Sequence, residues 1–212
     1  MRLREPIHAV RALGRAIGDA WDGMFTIAVL NLCWLGLSAT IVLAPPASAA
    51  LFETMDQLAQ GRTPGLRDLL AAVRRHLVGG WLWALWGGAG LTLTALVITF
   101  YGAQSGALAV VGPLALVLAV MFAVSLLYVW PLVLVSGDGS LGRALRNSLL
   151  VVFAAPLFAL TIGVMLSLLL AISVLLVAPI AFFTPALIAL VASHAVRDRL
   201  VAFGKLPRPS DA

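Results

Sequence analysis

Charged side chains are scarce in this sequence, and their scarcity excludes most soluble folds. Only 11% of the 212 residues are Asp, Glu, Lys or Arg, whereas 62% are hydrophobic. Soluble domains typically carry about 25% charged residues. A chain with a mean hydropathy of +1.05 needs lipid as the solvent for its apolar side chains. The composition therefore predicts an integral membrane protein that has the lipid bilayer as its first partner.

Cysteine is nearly absent, and the residue patterns of common catalytic sites are missing. Cys33 is the single cysteine, so it can form no internal disulfide, and we interpret it as a small buried hydrophobic residue. The sequence contains no GxSxG, GxxxxGK[ST] or HExxH pattern. His8, His76 and His194 lack the spacing expected of a metal or haem site. We therefore predict a protein that is not an enzyme and binds no cofactor or metal.

The charges that are present do not form one basic patch. The formal net charge is +5, and a nucleic-acid surface would need that charge clustered on one face. The basic residues instead flank apolar stretches, which is typical of the cytoplasmic surface of a membrane protein. We predict no nucleic-acid binding.

Five stretches are apolar enough to be transmembrane helices, which need about 20 mostly apolar residues. They cover residues 24–44, 81–101, 106–135, 148–177 and 179–196. Interfacial aromatics mark the second stretch, with Trp81, Trp83 and Trp86 at one end and Tyr101 at the other. In the fourth stretch, Pro156 is expected to separate an interfacial first part from the true span.

The distribution of Arg and Lys decides between five spans and six. With five spans, basic residues are stranded outside the cell whichever way the chain is oriented, against the positive-inside tendency. If the weakly apolar residues 46–60 also cross, all 14 basic residues lie inside and the three external turns carry no charge. We therefore predict an all-α polytopic bundle of six transmembrane helices arranged as three hairpins, with both termini cytoplasmic.

This topology divides the chain into three parts. Residues 1–23 form a cytoplasmic amphipathic segment, residues 24–200 the six-helix domain and residues 201–212 a cytoplasmic tail. A basic, partly amphipathic segment precedes each hairpin, over residues 7–20, 66–77 and 141–150. Such segments are expected to form interfacial helices at the headgroup level. The second is the clearest, because apolar residues recur at helical spacing from Leu66 to Leu77.

Two polar residues within the predicted spans are candidate site residues, because polar groups in lipid usually face the bundle interior. Asn31 lies about 10 Å into the first span, where it could line a path or form an interhelical hydrogen bond. Glu53 could couple protons, bind a solute, or pair with a cytoplasmic arginine. Since a carboxylate near the bilayer centre costs about 2.5–3.5 kcal/mol, we expect this segment to pack inside the bundle, using the small residues 47–50 for close contact.

Several short motifs point to a known family. The chain has Asn31 and Trp34 in Asn-Leu-Cys-Trp, Pro46 and Ala47 in Pro-Ala-Ser-Ala-Ala-Leu, and Asn147 at the end of Ala-Leu-Arg-Asn. Together with the basic segment over residues 67–75, these motifs resemble the YesL-like family of bacterial membrane proteins. The similarity covers residues 21–200. The chain departs from the family pattern at Thr40 and Leu43, where Pro and Thr are usual, and at Pro45, where Gly is usual.

This resemblance implies a location and a role, but no reaction. The family has no established biochemical activity, resides in the bacterial inner membrane and is often associated with carbohydrate utilisation. It implies an accessory or assembly partner of carbohydrate uptake, acting with another membrane protein or as a homo-oligomer. The residues themselves leave one alternative open, a small oligomeric transporter or channel with Glu53 and Asn31 lining the path.

Overall fold

Helices make up all the regular structure in the described part of the chain. A computed structural model describes residues 5–105, 110–137, 140–176 and 183–206. Within these ranges there is no strand, in agreement with the predicted all-α class. The helices are α1 (Glu5–Asp22), α2 (Met24–Ser38), α3 (Ala44–Ala59), α4 (Leu66–Arg75), α5 (Leu77–Gly102), α6 (Val111–Ser136), α7 (Leu141–Ala154), α8 (Pro156–Leu176) and α9 (Thr184–Ala202).

Three of these helices are long and apolar enough to cross a membrane, namely α5, α6 and residues 156–175 of α8. A fourth span results if α1 and α2, which meet at a 93° bend, count as one broken span. The six full crossings predicted from the charges are therefore not confirmed. The predicted starts of two apolar stretches, residues 106 and 179, and the end of the tail lie outside the described residues.

Both helices of the α2–α3 hairpin are shorter than the hydrocarbon core of a bilayer is thick. They contain 15 and 16 residues, which gives about 22 and 24 Å, against about 30 Å for the hydrocarbon core. The turn between them is tight, because Ile41 adopts a φ of 57°, a left-handed conformation that is rare for a β-branched residue. The predicted first span, residues 24–44, thus ends as a helix at Ser38.

The turn of this hairpin lies beside the start of α5. The indole Nε1 of Trp81, near the start of α5, donates a hydrogen bond to the Val42 carbonyl at 3.1 Å. Gly80 packs directly on Pro46, where an added Cβ would lie 2.7 Å from the proline Cα. The rest of α5, from residue 82 to its end, therefore continues past the tip of the α2–α3 hairpin.

Helices α5 and α6 form the longest hairpin. Each contains 26 residues, or about 39 Å. Trp83 Nε1 donates to the Leu126 carbonyl at 3.1 Å, and Gly90 faces the ring of Phe122, so the two helices run antiparallel. Helix α6 is central, with Tyr128 and Trp130 almost fully buried, whereas only two glycines of α5 are buried.

Two shorter helices, α4 and α7, lie on the predicted amphipathic segments 66–77 and 141–150. Helix α4 buries Leu69, Ala72 and Val73 against α3, while Leu66 and Leu70 of the predicted apolar stripe are exposed. Helix α7 ends at Ala154, and α8 begins at Pro156, directly after Ala155. The predicted separation at Pro156 is confirmed, because proline lacks the N–H that would continue the helix.

Candidate functional site

Arginine–carboxylate ion pairs and histidine–carboxylate hydrogen bonds join four helices at the end of the bundle where α5 begins and α9 ends. We call this group the polar layer. Its members are Arg15 with Asp198, Asp19 with His194, Glu53 with Arg75 and His76, and Asp56 with Arg197.

Glu53 is held between two basic side chains and is only 8% exposed. Its Oε1 accepts a hydrogen bond from Arg75 Nη1 at 2.6 Å, and its Oε2 lies 2.7 Å from His76 Nε2. The Arg75 side chain is 62% exposed, so the pair extends from the protein interior to the surface. The His76 ring also contacts the edge of Trp130, at 4.8 Å between centroids. Of the roles considered for Glu53, the structure supports pairing with an arginine.

Asp56 lies one helical turn further along α3 and connects it to α9. Its Oδ1 and Oδ2 each accept a hydrogen bond from Arg197 Nη2 at 2.9 Å, and Oδ2 accepts another from Gln60 Nε2 at 2.7 Å. Charge-assisted bonds of this kind are about twice as strong as neutral ones. This pairing was not predicted from the sequence, although an acid three residues after Glu53 lies near the same helix face.

The end of α9 carries three consecutive charged residues that contact three different helices. Arg197 pairs with α3, and Asp198 pairs with Arg15 of α1. The Arg199 guanidinium lies over the Phe158 ring of α8, 3.9 Å from its centroid. Successive residues of a helix point about 100° apart, so this run ties α9 to its neighbours. The run was visible in the sequence, but only as a basic flank of the last apolar stretch.

Asn31 is completely buried and connects α2 to the beginning of α9. Its Oδ1 accepts a hydrogen bond from the backbone N–H of Ala186 at 3.2 Å. Ala186 is the third residue of α9, and the first N–H groups of a helix have no partner within the helix. Asn31 therefore caps a neighbouring helix, which supports the predicted interhelical hydrogen bond.

The family-like motif residues fall into two places. Asn31, Trp34, Pro46 and Ala47 all lie in the α2–α3 hairpin, where Trp34 Nε1 donates to Ser48 Oγ at 3.1 Å and Ala47 is fully buried. Asn147 lies apart from them, on the surface of α7. The first two motifs thus pack against each other within one hairpin.

A cavity of about 480 Å³ lies between α5, α6 and α8. Its walls are almost entirely apolar and include Trp83, Gly87, Val124 and Gly163. Neither Asn31 nor Glu53 lines it. Among the described residues, no three His, Cys, Asp or Glu side chains come together as a possible metal site.

No family model, curated protein or solved structure matches this chain. Its function is therefore inferred from the geometry above and from the motif resemblance.

Proposed function

We propose that this chain is a non-catalytic protein of the bacterial inner membrane that acts as an accessory or assembly partner of another membrane protein. The observation that carries the proposal is the pairing of its buried polar groups. Glu53 and Asp56 contact basic side chains, and Asn31 caps a helix. Groups with these partners hold helices together, whereas a transport path needs groups that face water.

The surface of α5 supports a role that depends on a partner. This helix is one of the three candidate spans, yet only 6% of its apolar window is buried within the chain. Ala84 and Gly88 lie four residues apart on it and both line the apolar cavity between α5, α6 and α8, and an added Cβ at Gly88 would meet nothing within 4 Å. Small residues at this spacing permit close approach of another membrane helix. The motif resemblance adds that the partner belongs to a carbohydrate-uptake system.

We infer a topology in which both termini lie in the cytoplasm. The charges of the polar layer lie at one end of the bundle, while the far end of the α5–α6 hairpin, residues 101–105, carries none. The α2–α3 hairpin enters the membrane from the charged side and returns to it. This arrangement keeps all 14 basic residues inside without two full crossings.

The alternative role as a transporter or channel has less support. It requires Glu53 and Asn31 to line a path, yet both are buried at helix–helix contacts with hydrogen-bond partners. Reconstituted vesicles test this role directly. Solute flux that is lost in Glu53→Gln and retained in Arg62→Gln, an exposed control, would favour the transporter.

Co-purification from native membranes tests the accessory role. A tagged chain, expressed at its natural level and extracted in mild detergent, is expected to bring down a second membrane protein. Gly88→Trp is expected to abolish this recovery, because the new side chain blocks the close approach of a helix to α5. Leu114→Trp, at an exposed position on α6, is the matched control. Recovery of the isolated chain alone would overturn the proposal, and a partner unrelated to sugar uptake would overturn its carbohydrate part.

A further inference from the structure

A groove of about 460 Å³ lies at the charged end of the molecule, between α6, α7 and the end of α9. Leu132 and Val135 form one wall, Leu150 the second, and Leu200 and Phe203 the third. Two of these side chains, Leu150 and Phe203, are about half exposed. Since α6 is a candidate span that ends at Ser136, the groove lies where the membrane meets the cytoplasm in the proposed topology.

Three polar side chains line the same groove, namely Ser136 of α6, Asn147 of α7 and Lys205, and the Ser136 hydroxyl donates to the Val133 carbonyl of its own helix at 3.1 Å. Lys205 is fixed there by the way in which α9 ends. Gly204 adopts a left-handed φ of 69°, and the N–H of Lys205 donates to the Leu200 carbonyl at 2.8 Å, which is the hydrogen bond of a Schellman motif. Within the described residues, Lys205 has no acidic partner and the Asn147 amide has no hydrogen bond.

We propose that this groove binds one anionic glycerophospholipid, with an acyl chain along the apolar walls and the phosphate at Lys205 and Asn147. Apolar walls beside a lone cation and an amide donor match a lipid that joins a hydrocarbon chain to an anionic headgroup. The cytoplasmic leaflet supplies such lipids, and a lysine near its surface is attracted to them. A neutral or zwitterionic lipid could fill the apolar part but would gain less from the lysine. This inference does not depend on the proposed partner of the chain.

Native mass spectrometry of the detergent-purified protein tests the site. Phosphatidylglycerol and phosphatidylcholine with identical acyl chains are the two probes. We expect one phosphatidylglycerol to be retained in preference to phosphatidylcholine. Lys205→Gln is expected to reduce that preference about fivefold, the effect of losing one lysine–phosphate contact. Arg62→Gln removes another exposed cation, away from the groove, and is expected to change nothing.

A second variant probes the apolar walls. Ala154 lines the groove and is exposed, so Ala154→Phe is expected to fill it and to lower the retention of both lipids, with thermal unfolding as the check on folding. Equal retention of the two lipids by the wild type, or equal effects of Lys205→Gln and Arg62→Gln, would overturn the proposal. A wild-type dimer that Ala154→Phe dissociates would assign the groove to a second copy of the chain instead.

Discussion

Buried carboxylates in this protein are stabilised by side chains from other helices. Removing a carboxylate from water is costly unless it is paired and hydrogen-bonded. Glu53 and Asp56 each have a basic partner and a second hydrogen-bonding group. Both acids therefore act as connections between helices, and their loss is expected to affect stability first.

Asp56→Asn is the most direct test of this role. The substitution keeps the shape of the side chain but removes the charge that binds Arg197, so we expect the free energy of unfolding to fall by about 1.5–3 kcal/mol. Unfolding in detergent by heat or denaturant measures the change. Asp22→Asn makes the same change at an exposed position and is expected to stay within about 0.5 kcal/mol of wild type. Equal effects of the two variants would contradict the connecting role of Asp56.

Asn31 gives a second prediction at the residue scale. In Asn31→Leu the N–H of Ala186 loses its acceptor inside the protein, so we expect a loss of about 1–3 kcal/mol of unfolding free energy. Asn147→Leu, at the only other asparagine of the chain and measured in detergent without added lipid, is the control, because Asn147 is exposed. If thermal unfolding is unchanged in Asn31→Leu, the bond between α2 and α9 does not stabilise the fold.

The sequence singled out two of the buried polar residues, Asn31 and Glu53, but not Asp56 or His194, and it did not identify the partner residues. Asn31 and Glu53 stood out because they interrupt apolar stretches. Their partners, however, lie 155 residues away for Asn31 and 22 or 23 residues away for Glu53. Such pairs form only when the helices pack together, so the spacing of residues along one helix does not predict them.

At the scale of elements, the backbones of α3 and α5 approach each other so closely at Gly80 that no side chain would fit there. An added Cβ at Gly80 would lie 2.7 Å from the Cα and N of Pro46, and backbone atoms at a proline cannot turn away as a long side chain can. Ala47, Ala49 and Ala50 are fully buried in the same helix. The expected use of small residues 47–50 for close packing thus agrees with the structure at these three alanines.

Gly80→Ala is expected to force α3 and α5 apart and to cost about 1–3 kcal/mol of unfolding free energy, as overpacking does. Gly88→Ala provides a control within the same helix, because its added Cβ meets nothing within 4 Å. That control is expected to be neutral or slightly stabilising, since alanine favours a helix over glycine. Thermal unfolding of the two variants side by side measures the difference, and equal stabilities would rule out the close contact.

Hydropathy predicted the long helices of this chain better than the short ones. Helices α5, α6 and α8 match apolar stretches of the sequence, because each is long enough to give a continuous signal. Helix α2 falls short of its predicted span, residues 24–44, because the break at residues 39–43 lies inside that apolar stretch, whereas α3 lies close to the predicted segment 46–60. Ile41 takes a left-handed conformation in that break, which its β-branched side chain gives no reason to expect.

At the scale of the whole molecule, two membrane topologies are consistent with the segregation of charge. Two full crossings return the chain to the cytoplasmic side, and so does a hairpin that enters partway and turns back. Both leave every Arg and Lys inside, so counting charges cannot separate them. They differ in the depth of the hairpin turn, and the hydrogen bond from Trp81, at the start of α5, to the Val42 carbonyl in that turn favours the hairpin that turns back.

Cysteine labelling of intact cells distinguishes the two topologies. In a Cys33→Ala background, single cysteines replace Thr40 in the hairpin turn, Ser105 after α5 and Arg62 before α4, all exposed in the structure. A membrane-impermeant maleimide is expected to label position 105 from outside, and position 62 only after lysis. With a hairpin that turns back, position 40 remains unlabelled in intact cells, because it lies at the level of the first turns of α5. Labelling of position 40 as fast as position 105 would instead establish that α2 and α3 cross the membrane completely.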